Sequence, residues 1–125
     1  MKTVIRNKKA AQPVGPYNQA IRIDNFIFTA GQIALNQEGI IVGTEIQTQT
    51  KQVLENIKLI LEEAGSSLDK IVKTTVFLTD MKEYSKMNDI YATYFTKEYP
   101  ARSTVEVSNL PKNAIVEIEA IAAIE

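Results

Sequence analysis

The chain has 125 residues, with 14 Lys or Arg against 15 Asp or Glu, a net charge of −1 and a pI near 5.6. At 45% hydrophobic residues it can bury one core, and residues 1–125 read as a single domain. The absence of His, Cys and Trp excludes disulfides, thiolate nucleophiles, Cys zinc sites and iron–sulfur clusters, and removes the usual near-neutral acid and base.

Nucleic-acid binding is disfavoured, because the densest basic run is only Lys8-Lys9 and such binders carry a basic excess or stripe. Arginine is scarce, confined to Arg6, Arg22 and Arg102, so any bidentate use of one stands out. The opening MKTVIRNKKAAQPVG lacks the apolar stretch of a signal peptide, and no run approaches the roughly 18–20 apolar residues that cross a bilayer. A cytoplasmic protein without membrane partners is expected.

In chain order, Thr3–Arg6 is a short strand and Lys8–Pro16 a loop, broken by Pro13, Gly15 and Pro16. Tyr17–Ile23 and Phe26–Ile33 are expected as strands joined by a turn at Asp24-Asn25, with Gly39–Val42 a third short strand. A helix is expected from Thr44, where Thr44 and Gln47 have capping-box spacing. Its apolar or small stripe runs through Ile46, Thr50, Val53, Leu54, Ile57, Ile60, Leu61 and Ala64, and Gly65 stops it.

The β-branched run Lys70–Thr79 is apolar on both faces, as in an interior strand. A second helix is expected over Lys82–Lys97, with an inward stripe of Tyr84, Met87, Ile90, Tyr91, Tyr94 and Phe95. Arg102–Val107 and Ala114–Ile124 are strands around a turn at Leu110–Asn113. Two helices on one face of a mixed sheet make an α+β two-layer sandwich. The other sheet face then has no helix to cover its Ile and Val, so association with further copies is expected.

Several places hold candidate chemistry. In the last strand, alternation puts Val116, Ile118, Ala120 and Ala122 on one face and Glu117, Glu119 and Ile121 on the other. Two acids on an otherwise apolar strand need solvent, a Lys partner or a function. Arg102 opens a strand directly after a loop, where a guanidinium can take a carboxylate in two parallel bonds or simply pair with a surface acid. Gly31 lies inside an expected strand, as at a bulge, a packing position or a close approach to the backbone. Tyr17 follows Gly15-Pro16 and is either packed or a hydroxyl donor. Asn88 lies one helical turn from both Tyr84 and Tyr91, so its amide needs partners, structural or ligand.

Together these segments resemble the RidA/YjgF family of reactive-intermediate deaminases. The resemblance runs through GPYNQA (15–20), TAGQI (29–33), QTKQVLENIKLILEEAG (49–65), IVKTTVFLTDM (71–81), NDIYATYF (88–95), PARSTVEVSNLPKNA (100–114) and VEIEAIA (116–122). It implies a chorismate-mutase-like fold, a homotrimer with clefts between adjacent subunits, and hydrolysis of 2-imino acids and their enamine tautomers to 2-keto acids and ammonia. The substrates are those released by pyridoxal-phosphate dehydratases. No cofactor or metal is implied for this chain.

By the same resemblance Arg102 holds the substrate carboxylate and Glu117 orients the attacking water. Tyr17, Gly31, Asn88 and Thr104 line the cleft, and Glu119 is structural. Two departures bear on chemistry: Thr104 stands where many members have Cys, and Ala30 where many have Ser. The first removes a covalent thiol route and the second a polar contact that bears on substrate range. Two other functions are open, a non-catalytic regulatory trimer that senses keto acids and an endoribonuclease. The acidic pI and the missing His weigh against the latter.

Overall fold

The computed structural model describes residues 1–124. Its strands are β1 (Thr3–Ile5), β2 (Ala20–Ile23), β3 (Phe26–Thr29), β4 (Ile71–Leu78), β5 (Ala101–Glu106) and β6 (Val116–Ala123), and its helices α1 (Ile46–Glu63) and α2 (Tyr84–Tyr94). The strands form one six-stranded sheet in the order β1-β2-β3-β6-β4-β5. Only β4 and β5 run parallel, because α2 carries the chain back across the sheet between them; the other pairs are antiparallel. Among the described residues no helix is long and apolar enough to cross a membrane. The expected α+β sandwich is what forms.

The last strand in sequence lies at the centre, between β3 and β4. Its alternation is clean: Val116, Ile118, Ala120 and Ala122 are buried, while Glu119 is exposed and Glu117 partly so. The buried set joins Val53, Leu54, Ile57, Ile60 and Leu61 of α1 and Met87 and Tyr91 of α2 in one core. The stripe expected on α1 is therefore the stripe that packs. Gly65, at φ 81°, ends that helix because only glycine takes the left-handed conformation without steric cost. Ser66 N donates to Leu61 O at 2.8 Å and Gly65 N to Glu62 O at 3.1 Å, which is a Schellman closure.

Several local expectations are corrected. The helix starts at Ile46, with Glu45 at its N-cap and no side-chain cap, so the Thr44–Gln47 box does not form. Gln49 supplies the tie instead: its Nε2 donates to Gly43 O at 3.0 Å and its Oε1 accepts from Ile115 N at 3.1 Å. Residues 39–42 are not a strand but part of a turn closed by one bridge between Leu35 and Ile41. β2 begins at Ala20 rather than Tyr17 and β3 ends at Thr29, since the chain on either side turns away to build a cleft. α2 is shorter than expected. It is preceded by a 3-10 turn at Met81–Glu83, where Asp80 accepts from Lys82 N at 2.9 Å.

The sheet face away from the helices stays open. Val4, Ile23, Phe26, Phe28 and Val105 are exposed, and the pairings Phe26↔Ala123, Phe28↔Ile121 and Val4↔Ile21 put further apolar groups beside them. A contiguous apolar surface of this kind is unusual for a chain that works alone.

Candidate functional site

Glu117 projects from β6 on the open side, in register with Phe77 of β4, which itself pairs with Val105 of β5. Just beyond β3, Gln32 forms a bridge to Ile118, with Gln32 N to Ile118 O at 2.8 Å and Ile118 N to Gln32 O at 3.1 Å. That bridge sets Gly31 against the Glu117 side chain. A Cβ at Gly31 would lie 2.7 Å from Glu117 Cδ and would overlap its carboxylate. Of the three readings of this glycine, a close approach to the backbone is the one the structure bears out.

The rest of this cavity comes from the 11–19 loop and the 31–35 segment. It measures about 130 Å³ and is lined by Gln12, Val14, Tyr17, Gly31, Gln32 and Glu117 among others. Two buried amides hold its walls. Gln19 Oε1 accepts from Asn7 N at 2.7 Å and its Nε2 donates to Ala11 O at 2.8 Å. Asn56 Nδ2 donates to Leu35 O at 2.9 Å. Tyr17 is exposed, its hydroxyl accepting from Val14 N at 3.2 Å. Partial burial, and then the neighbouring Glu119 charge, push the Glu117 carboxyl above its ordinary value. It is thus a better base than a free carboxylate. Glu119 itself sits apart, in a shallow depression with Lys73 and Thr75.

Arg102 belongs to a different cavity. It pairs with Thr74 on β4 and through it with Ala120 on β6, so it projects on the helix-covered side. Its guanidinium carbon lies 4.7 Å from the Tyr91 ring centre and 5.5 Å from that of Tyr84, and its Nη2 donates to Tyr84 Oη at 2.8 Å. Tyr91 is fixed beneath it by a 2.8 Å hydrogen bond between its hydroxyl and Thr74 Oγ1. Burial raises the Tyr91 phenol pKa against the pull of that bond and of Arg102, so this ring is a neutral platform. Among the described residues no carboxylate pairs with Arg102, leaving its other donors for a ligand.

The Arg102 cavity measures about 280 Å³ and is lined by Asn88, Tyr91, Ala92, Tyr99, Pro100 and Arg102. Asn88 Oδ1 is buried here without a hydrogen-bond partner, and so is Thr104 Oγ1, two residues along β5 from Arg102. Buried polar atoms without partners are uncommon in folded proteins. The six residues singled out in the sequence therefore fall into two sets. Tyr17, Gly31 and Glu117 line the first cavity. Asn88 and Arg102 line the second, with Thr104 on the same strand face as Arg102 but not in that lining. Glu117 and Arg102 lie on opposite faces of one sheet. Tyr84 was placed in the inward stripe of α2 by its spacing, yet it is 38% exposed and bonded to Arg102. Its i, i+4 relation to Asn88 was the one available sequence signal.

The Endoribonuclease L-PSP family model matches residues 7–124. A RutC family protein of Pyrococcus abyssi is 56% identical over 122 residues, which span 97% of this chain and 96% of that one. The crystal structure of YyfA, a Rid-family protein of unknown function from Yersinia pestis, superposes with a TM-score of 0.95 at 51% identity and covers 98% of this chain and 99% of the other. Escherichia coli TdcF, crystallised with bound serine, superposes with a TM-score of 0.91 at 38% identity, covering 97% and 98% of the two chains.

Proposed function

The chain belongs to the Endoribonuclease L-PSP family, which includes the Rid and RutC proteins, and from that membership we propose that it hydrolyses 2-imino acids and their enamine tautomers to 2-keto acids and ammonia. The observation that carries this reading is Arg102: a guanidinium braced by two tyrosines, with no carboxylate partner among the described residues, beside an amide oxygen without a partner. Such a group suits a small carboxylate ligand. The serine bound to TdcF, an amino acid of similar size, supports the same ligand class.

The chemistry follows from the residues present. Arg102 takes the substrate carboxylate. A protonated imine carbon is already electrophilic, so water adds to it once positioned, and Glu117 accepts the water proton. Glu117 then returns that proton to the carbinolamine nitrogen, and ammonia leaves as the C–N bond breaks, the C=O bond forms and the hydroxyl proton is released to solvent. One water is consumed, one ammonia is released, and the reaction as written uses no cofactor. Because Arg102 and Glu117 face opposite sides of their own sheet, the working site joins the Arg102 half of one copy to the Glu117 half of another. A homotrimer, its open sheet faces turned together, supplies that arrangement and covers Phe26 and Phe28.

The test is turnover of 2-iminobutanoate generated by a threonine dehydratase and followed by loss of semicarbazone formation. Wild-type protein is expected to accelerate hydrolysis, and Arg102→Ala to lose at least about 100-fold of that rate. Acceleration intact in Arg102→Ala sinks the assignment; keto-acid binding without acceleration in wild type points to a regulatory sensor. The description of the matched family also names an endoribonuclease. Tight, salt-dependent RNA binding would favour that reading.

A further inference from the structure

Tyr84 stands outside the lining of the Arg102 cavity and is exposed, yet it is the side chain that accepts an Arg102 N–H, at 2.8 Å. A phenol oxygen that accepts from a guanidinium cannot direct its own proton at the same group, so the Tyr84 O–H points elsewhere. Hydrogen bonding from Asn88, followed by the Arg102 charge, lowers the Tyr84 phenol pKa, which makes it a stronger donor. The Tyr84 ring lies beside the guanidinium, its centre 5.5 Å from the Arg102 guanidinium carbon, so its oxygen stays close to whatever Arg102 binds.

We infer that the Tyr84 hydroxyl is a ligand-contacting group: it donates a hydrogen bond to the carboxylate seated on Arg102, adding one O–H to the guanidinium donors. The inference rests on the carboxylate-binding role proposed for Arg102. The anion then meets donors from two elements, the N–H groups of β5 and the O–H of α2, and the relay from Arg102 to Tyr84 orders both before the ligand arrives. Such an arrangement selects a planar carboxylate over a neutral amide or ester, because only the anion accepts from every donor at once.

The experiment uses the whole protein and 2-oxobutanoate labelled with carbon-13 at its carboxylate. Affinity is measured by calorimetry, and the carboxylate stretch of the bound ligand by infrared difference spectroscopy. Tyr84→Phe keeps the ring over Arg102 and removes only the hydroxyl. It is expected to weaken binding about 5- to 20-fold, the scale of one hydrogen bond to a charged group at a partly open site. The asymmetric stretch of the bound carboxylate should rise in frequency with the loss of a donor. Unchanged affinity overturns the inference. So does weaker binding with an unmoved band, which would reduce Tyr84 to a residue that positions Arg102. Arg102→Ala separates the two levels: affinity lost there but kept in Tyr84→Phe overturns only the Tyr84 contact. Affinity kept in Arg102→Ala overturns the carboxylate site itself and the deaminase reading with it.

Discussion

The two faces of the sheet are built from the same strands but do different work. On the covered face Val116, Ile118 and Ala120 of β6 close against two helices, and Arg102 is held over Tyr91 at the sheet edge. On the open face the alternate residues of the same strands leave Phe26, Phe28 and Val105 exposed around Glu117 and Glu119. One face is finished within the chain and the other is not. The chemistry is divided in the same way, a cation on the finished side and a carboxylate on the unfinished one. Strand alternation imposes this: Arg102 is in register with Ala120, and Glu117, three residues earlier on β6, must point oppositely.

The largest effect that can break this comparison is complementation. Arg102→Ala and Glu117→Gln are each expected to be nearly inactive alone. Mixed in equal amounts and allowed to exchange subunits, they should recover about a quarter of wild-type activity, the fraction of interfaces pairing an intact Arg102 with an intact Glu117. No recovery after demonstrated exchange would place both residues in one chain's site and refute the division.

Next in size is a matched pair of substitutions, one on each face. Ile118, fully buried, should cost about 2–5 kcal/mol of unfolding free energy when changed to Ala, measured by denaturant titration. Phe28→Asp, at a position 43% exposed, should instead act on assembly, read as a fall in molecular mass by analytical ultracentrifugation. An unchanged mass would mean that the open face is not where copies meet.

The smallest effect concerns Glu117. Its folded-state pKa is raised above the model-compound 4.5, so the native state binds this proton more tightly than the unfolded chain does. Stability from the group is full below the ordinary carboxylate value and is lost as pH rises through the raised one. In an Arg102→Ala background, where no guanidinium from another copy can compensate, adding Glu117→Gln is expected to raise Tm at neutral pH. The gain should vanish on acidification below the ordinary value. A lower Tm at neutral pH in the double variant would show that Glu117 has some other stabilising partner.

The stripe of α1 and its Gly65 stop were legible from the residues themselves, as was the in-out pattern of β6, because helix and strand periods are local properties of the chain. The candidate set of six residues came instead from the resemblance of motifs and from no one of them alone. Where local signals misled, a tertiary partner took over. The Thr44–Gln47 box lost to Gln49 bridging Gly43 and Ile115, and Tyr84 left its stripe for Arg102.

The sequence by itself determined which faces of which elements are apolar, and that acid–base chemistry would have to run without His or Cys. The tertiary structure decided that β6 enters the middle of the sheet, which pairs residues as far apart as Phe26 and Ala123. It also decided that Glu117 nests on Gly31 while Arg102 lies over Tyr91 on the other face. Periodicity extends over a few residues, whereas strand order is set by contacts between distant segments that pay their loop entropy only when the whole core forms.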